Sequence, residues 1–208
     1  MKKCWFFGDS FTRGDNCHKG DPYYELTYKE GCKRWTTIVS EKLNYKEINT
    51  AAGGMSNMAI ITQIITNMSK MKKDDYAIIT NTLPHRTLAF KDNGDFINII
   101  NDIENEYVRG SSKHECVIDY IFYEIFPHAE YYDKWYLSLY EGLMEELKLR
   151  KVKTIFWPYN IWYPLRDFKF HKIVDDVPSI KDSHFSWKGH EQFSQHILNM
   201  ISGKEKLL

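Results

Sequence analysis

The sequence carries no surplus of charge: Lys+Arg and Asp+Glu each number 28 in 208 residues. A nucleic-acid footprint would need a basic excess or stripe, so nucleic acid is not an expected partner. The short run Lys70, Lys72, Lys73 is answered at once by Asp74 and Asp75 and reads as a solvated helix end. Cysteine is scarce, and Cys4, Cys17, Cys32 and Cys116 contain no C-x-x-C pair, which argues against a zinc or thioredoxin-like site. His18, His114, His128, His171 and His196 have no ligand-like spacing. Long apolar runs are missing too. The N-terminal run covers only residues 4–7, whereas a signal peptide needs about 7–15 apolar residues and a membrane span about 18. The expectation is a soluble, reduced, cytoplasmic protein with no membrane partner; delivery without a signal peptide, as part of a viral particle, stays open. Neither G-x-G-x-x-G nor G-x-x-x-x-G-K-[ST] occurs, which sets a nucleotide binder aside.

What is present is aromatic richness and alternation. Phe, Trp and Tyr make up 15% of the chain, enough to fill a core and leave rings over for flat substrates such as sugars. The length suits a single domain, 1–208. Short apolar runs at residues 3–7, 45–49, 76–80 and 153–157 read as strands. Helical spacing marks 33–43, 56–71 (with Ser56 as N-cap), 113–126, 133–150 and 187–201. In 56–71 the expected inward face is Met58, Ile61, Ile64, Ile65 and Met68; in 133–150 it is Trp135, Leu139, Leu143, Met144 and Leu147; in 187–201 it is Phe193, Ile197 and Ile201. Asp92-Asn93-Gly94 reads as a turn, and 164–183 as a long loop. Strands apolar on both faces, alternating with helices, indicate a mostly parallel sheet covered on both sides. Sites in such sheets form at the carboxyl ends of the strands.

Two motifs at opposite ends carry chemistry. Gly8-Asp9-Ser10 follows the first strand, where a serine opens a helix and backbone N–H groups can face an oxyanion. Taken alone, Asp9 or Ser10 could equally be a helix cap. Asp182 and His184 precede the last helix, two residues apart, so that in an extended segment both side chains fall on one side. A carboxylate there can orient the imidazole, and the imidazole can take a serine proton. Nucleophile, acid and base are thus all available for acyl transfer.

These motifs resemble those of the SGNH (GDSL-type) hydrolases. Gly8-Asp9-Ser10 is similar to that family's first block, and Asn49-Thr50-Ala51-Ala52-Gly53-Gly54 to its second. The run from Asp182 to His190 is similar to its last. The resemblance implies a flavodoxin-like three-layer α/β/α sandwich and no metal or organic cofactor. It implies Ser10 as nucleophile, His184 as base, Asp182 as orienting acid, and the N–H groups of Ser10 and Gly54 as oxyanion donors. Two departures stand out. Lys181 occupies the usual acid position three before His184; Asp182, two before, has the spacing of the alginate-type acetyltransferase branch. The third block is altered, and Asn81 is its only asparagine, with Thr82, His85 and Arg86 as substitutes for the missing donor. Asn57 has a turn-holding or a substrate-contacting role, and Arg86 suits an acidic substrate group or a surface ion pair. His190 matches a family position and is expected to pack locally. The resulting expectation is a serine esterase removing a small acyl group, acetyl for instance, from a small-molecule or carbohydrate ester. The alternatives are an acyltransferase with the same triad and a non-catalytic binding module.

Overall fold

A computed structural model of the chain describes residues 1–14, 31–82, 87–90, 96–99, 129–158, 185 and 187–204. Its strands are β1 (Lys3–Phe7), β2 (Lys46–Asn49), β3 (Tyr76–Thr80), β4 (Thr87–Phe90), β5 (Phe96–Ile99) and β6 (Lys153–Trp157). Its helices are α1 (Ser10–Arg13), α2 (Trp35–Leu43), α3 (Asn57–Met68), α4 (Ala129–Leu149) and α5 (Trp187–Ile201). Strands β2-β1-β3-β6 form a sheet in that order, parallel throughout. Strands β4 and β5 form a separate antiparallel pair, which the sequence pattern did not indicate. The expected turn at Asp92-Asn93-Gly94, the helix at 113–126 and the loop at 164–183 lie outside the described residues.

Period-2 alternation divides the strand side chains between two cores. Trp5, Phe7, Ala77 and Ile79 face α3 and α4, whose Ile60, Ile64, Tyr136, Tyr140 and Leu147 complete one layer. Cys4, Phe6 and Ile78 face α2 and α5, with Trp35, Val39, Phe193 and Ile197. Trp35 meets Phe6 and Phe193 edge-on, with ring centroids 5.3 and 5.0 Å apart. This is the expected three-layer α/β/α sandwich.

Local chemistry explains the helix ends. Ser56 caps α3 by accepting the Ala59 N–H at 3.2 Å. Asn44 ends α2 in the left-handed region at φ 57°, which asparagine tolerates. Two inward faces differ from expectation. On α3 the buried stripe runs through Ile60, Ile61, Ile64 and Met68, and Ile65, about a quarter-turn away, is 56% exposed. On α4, Tyr136 and Tyr140 take the core and Trp135 is 44% exposed. A buried tyrosine hydroxyl with a hydrogen-bond partner fits a core.

At the amino edge of the sheet, the buried Asp75 carboxylate accepts three N–H groups: the Lys3 backbone at 2.8 Å, the Lys72 backbone at 3.0 Å and the Trp5 indole at 3.2 Å. It ties β1 to the turn entering β3.

Candidate active site

The carboxyl edge gathers the exits of β1, β2 and β3. After β1, Gly8 runs so close to β3 that a Cβ on it would collide with the hydroxyls of Thr12 and Thr80. Those hydroxyls share a hydrogen bond of 2.7 Å, which pins α1 to the end of β3. Asp9 is the N-cap of α1: its Oδ1 accepts the Phe11 N–H at 3.1 Å. Its Oδ2 accepts the Thr82 hydroxyl at 2.8 Å, joining the serine turn to the loop after β3. Ser10 is the first residue of α1 and is buried. Asp9 therefore has the capping role weighed from sequence, which leaves Ser10 free of it.

After β2, the Asn49 amide donates to the Thr12 carbonyl at 2.8 Å, and its Oδ1 accepts the Ala51 N–H at 3.0 Å. The turn that follows carries Gly54 at φ 70°, where a side chain would be strained. The Arg13 guanidinium lies against Gly53: its Cζ and two terminal nitrogens sit at 3.2–3.3 Å from where a Cβ would be. The glycine turn and α1 are thus packed together through Arg13.

After β3 come Asn81 and Thr82, both buried. The Asn57 side chain, wholly inside, pairs with Thr82 at two points: its Nδ2 donates to the Thr82 carbonyl at 2.9 Å, and its Oδ1 accepts the Thr82 N–H at 3.0 Å. The Tyr140 hydroxyl donates to the same Oδ1 at 3.1 Å. Asn57 therefore holds the loop after β3, a role the sequence did not indicate, and its side chain is enclosed. Burial, aided by the neighbouring Tyr136 and Asp9, raises the Tyr140 phenol well above its ordinary range, so it stays protonated and donates. Thr82, weighed as a substitute oxyanion donor, directs its hydroxyl to Asp9 instead.

Arg86, Asp182 and His184 lie outside the described residues. Phe185, which follows His184 in the chain, is described and fully buried. Its ring meets Phe11 edge-on at 5.3 Å, and it also packs on Phe193 at 5.3 Å and His190 at 5.5 Å. His190 is buried and its Nδ1 accepts the Trp35 N–H at 3.4 Å, the local role expected of it. The Phe11–Phe185 contact and Tyr140 were not found from the sequence. The i, i+4 repeat of Tyr132, Tyr136 and Tyr140 was the available sign of Tyr140.

No family model matches the sequence, and no curated protein matches it significantly. Solved structures do. The lipase Lip_vut3 from a goat rumen metagenome aligns over 95% of this chain and 96% of its own, with a TM-score of 0.51 and 16% identity. The chain has the SGNH-hydrolase fold. Less similar are the psychrotrophic esterase EstA from Pseudoalteromonas sp. (TM-score 0.44, 11% identity, 98% of each chain) and a lipase/acylhydrolase from Enterococcus faecalis (0.42, 14%, 99% of this chain and 98% of that one).

Proposed function

We propose that this protein is a serine esterase that cleaves a small acyl ester with Ser10 as nucleophile, His184 as general base and Asp182 as the acid that orients it. The observation that carries the reading is the packing of Phe185 on Phe11. Phe11 directly follows Ser10, and Phe185 directly follows His184. Consecutive Cα atoms lie about 3.8 Å apart, so a contact between the rings that follow Ser10 and His184 supports pairing these two residues.

Chemistry follows from the roles. His184 takes the Ser10 proton as Oγ attacks the acyl carbonyl. The oxyanion that forms is met by the N–H groups of Ser10 and Gly54 and by the Asn81 side chain. His184 returns the proton to the departing alcohol, and water, activated by the same imidazole, then releases the acid. Arg86 is suited to an acidic substrate group. A carbohydrate ester is favoured by Tyr131 and Trp135, which stand 70% and 44% exposed on one face of α4. They precede Tyr140, which marks the rim level through its bond to Asn57. At about 1.5 Å rise per residue, Trp135 lies some 7 Å outward of it. The Asp182-x-His184 spacing favours a second reading, transfer of the acyl group to an acceptor alcohol.

The test is reaction with a fluorophosphonate, read by intact mass and peptide mapping. A single adduct on Ser10 that disappears in His184→Ala supports the triad. A folded protein that takes no adduct overturns it in favour of a binding module. Adding an acceptor alcohol to the ester assay separates transfer from hydrolysis.

A further inference from the structure

Beyond the ladders of the sheet, the chain after β3 has lost its strand neighbours. The last β1 partner is Phe7, opposite Ile79, and the last β6 partner is Trp157, opposite Thr80. Thr82 lies two residues past that edge, yet its N–H and C=O are both paired, at 3.0 and 2.9 Å, to one side-chain amide, that of Asn57. Asn57 thus replaces a missing strand with a single peptide-like unit. Its Oδ1 accepts a second bond, from the Tyr140 hydroxyl at 3.1 Å, and the Thr82 hydroxyl donates onward to Asp9 at 2.8 Å. Four buried side chains from four places in the chain therefore connect α4 to the serine turn. Hydrogen bonds in such a buried network reinforce one another, and a broken one leaves a buried group unmatched.

Resting on the esterase reading, we propose that Tyr140 and Asn57 are positioning residues, which hold the Asn81-Thr82 loop in register with the Asp9-Ser10 turn and thereby govern the rate of acyl transfer rather than ester affinity. Neither reaches substrate, because both are wholly enclosed. Their effect passes through Thr82 to two groups that the reaction needs in place: Ser10, next to Asp9, and Asn81, next to Thr82.

The experiment compares Tyr140→Phe with Tyr45→Phe in the full chain. Tyr45 loses a bond of the same kind, from its hydroxyl to the Asp74 carbonyl at 3.3 Å, but at the amino edge. Tyr140→Phe is expected to lower both kcat on an activated acetyl ester and the rate of fluorophosphonate labelling about tenfold, with KM changed less than about twofold and the melting temperature nearly kept. Tyr45→Phe is expected to leave kcat and labelling as they are. Thr82→Val should repeat the loss and Thr82→Ser should restore it, since only the hydroxyl is needed. Wild-type kcat in Tyr140→Phe and Thr82→Val, or equal losses in Tyr45→Phe, would overturn the positioning role while leaving the esterase standing. A wild-type protein that neither labels nor turns over ester would overturn both.

Discussion

Two buried carboxylates, each 3% exposed, sit at opposite edges of the same sheet. Asp75, at the amino edge, is held by two backbone N–H groups and an indole N–H, donors with no freedom to rotate away. Asp9, at the carboxyl edge, takes one backbone N–H and one threonine hydroxyl that leads on to Asn57 and Tyr140. The first closes a joint between strands. The second links the exits of β1 and β3 to two helices, and through them the candidate nucleophile to a candidate oxyanion donor. Burial alone does not distinguish a structural acid from one that serves a site; the difference lies in what its partners are connected to.

This contrast is open to attack by mutation. The largest effect on stability is expected at the amino edge. Asp75→Ala strands the buried Trp5 indole N–H and two part-buried backbone N–H groups and should cost about 3–4 kcal/mol, given about 1–3 kcal/mol for a fully buried unmatched group and less for the other two. A urea titration measures it, and kcat per folded molecule should not change; a fall in kcat would erase the distinction between the edges. Next comes Asp9→Asn, which keeps a cap acceptor for Phe11 but replaces the charged partner of Thr82. It should lower kcat on an activated ester about 10²-fold through misplacement and cost less than about 1 kcal/mol of stability in the same titration. A large loss of stability with unchanged kcat would reverse the assignment.

Alkaline pH samples both edges at once. Burial raises the Cys4 thiol above its ordinary 9.0 and the Tyr140 phenol above its ordinary 10.0. Above pH 9 the unfolded chain therefore gives up protons that the folded one keeps, so stability falls as pH rises; below pH 9 the two contribute a constant amount. Urea midpoints from pH 8 to pH 10.5 should show a decline that begins with Cys4 and steepens with Tyr140. Cys4→Ala should remove the earlier part and Tyr140→Phe most of the later, the remainder belonging to the partly buried Tyr76, whose phenol burial also raises; a flat profile in the wild type would refute both. The smallest effect is expected from the exposed pair of Arg150 and Glu146, 2.7 Å apart at the end of α4. Arg150→Ala should cost about 0.3–0.5 kcal/mol. A larger loss in thermal melts would mean that surface pairs, not Asp75, hold the amino edge.

Much of this architecture is written in local pattern. Strands β1, β3 and β6 are legible to the residue because they are mostly apolar runs, and β2, Lys46–Asn49, to within one residue because Ala51-Ala52-Gly53-Gly54 stops it. Ser56 was legible as a cap because its hydroxyl acts within three residues. Misreadings occurred where periodicity had competitors. Ile65 borders the buried stripe of α3, and in α4 Tyr136 and Tyr140 take the core beside a half-exposed Trp135. Strands β4 and β5 are four residues each and pair with one another in a ladder of their own, and their apolar residues fall in a stretch that reads as a polar loop around Asp92-Asn93-Gly94.

By itself the sequence determined the order of the four parallel strands and of the helices α2 to α5 between and after them, the glycine-serine turn after the first strand and the residue types available for a triad. All of these depend on contacts within a few residues, where composition and spacing act directly. Tertiary structure alone decided which groups those residues meet. Asn57 joins Thr82 across 25 positions, Tyr140 reaches Asn57 across 83, and Phe185 settles on Phe11. Such partners are chosen when the sheet brings distant strand ends to one rim and burial demands that every polar group there find a match.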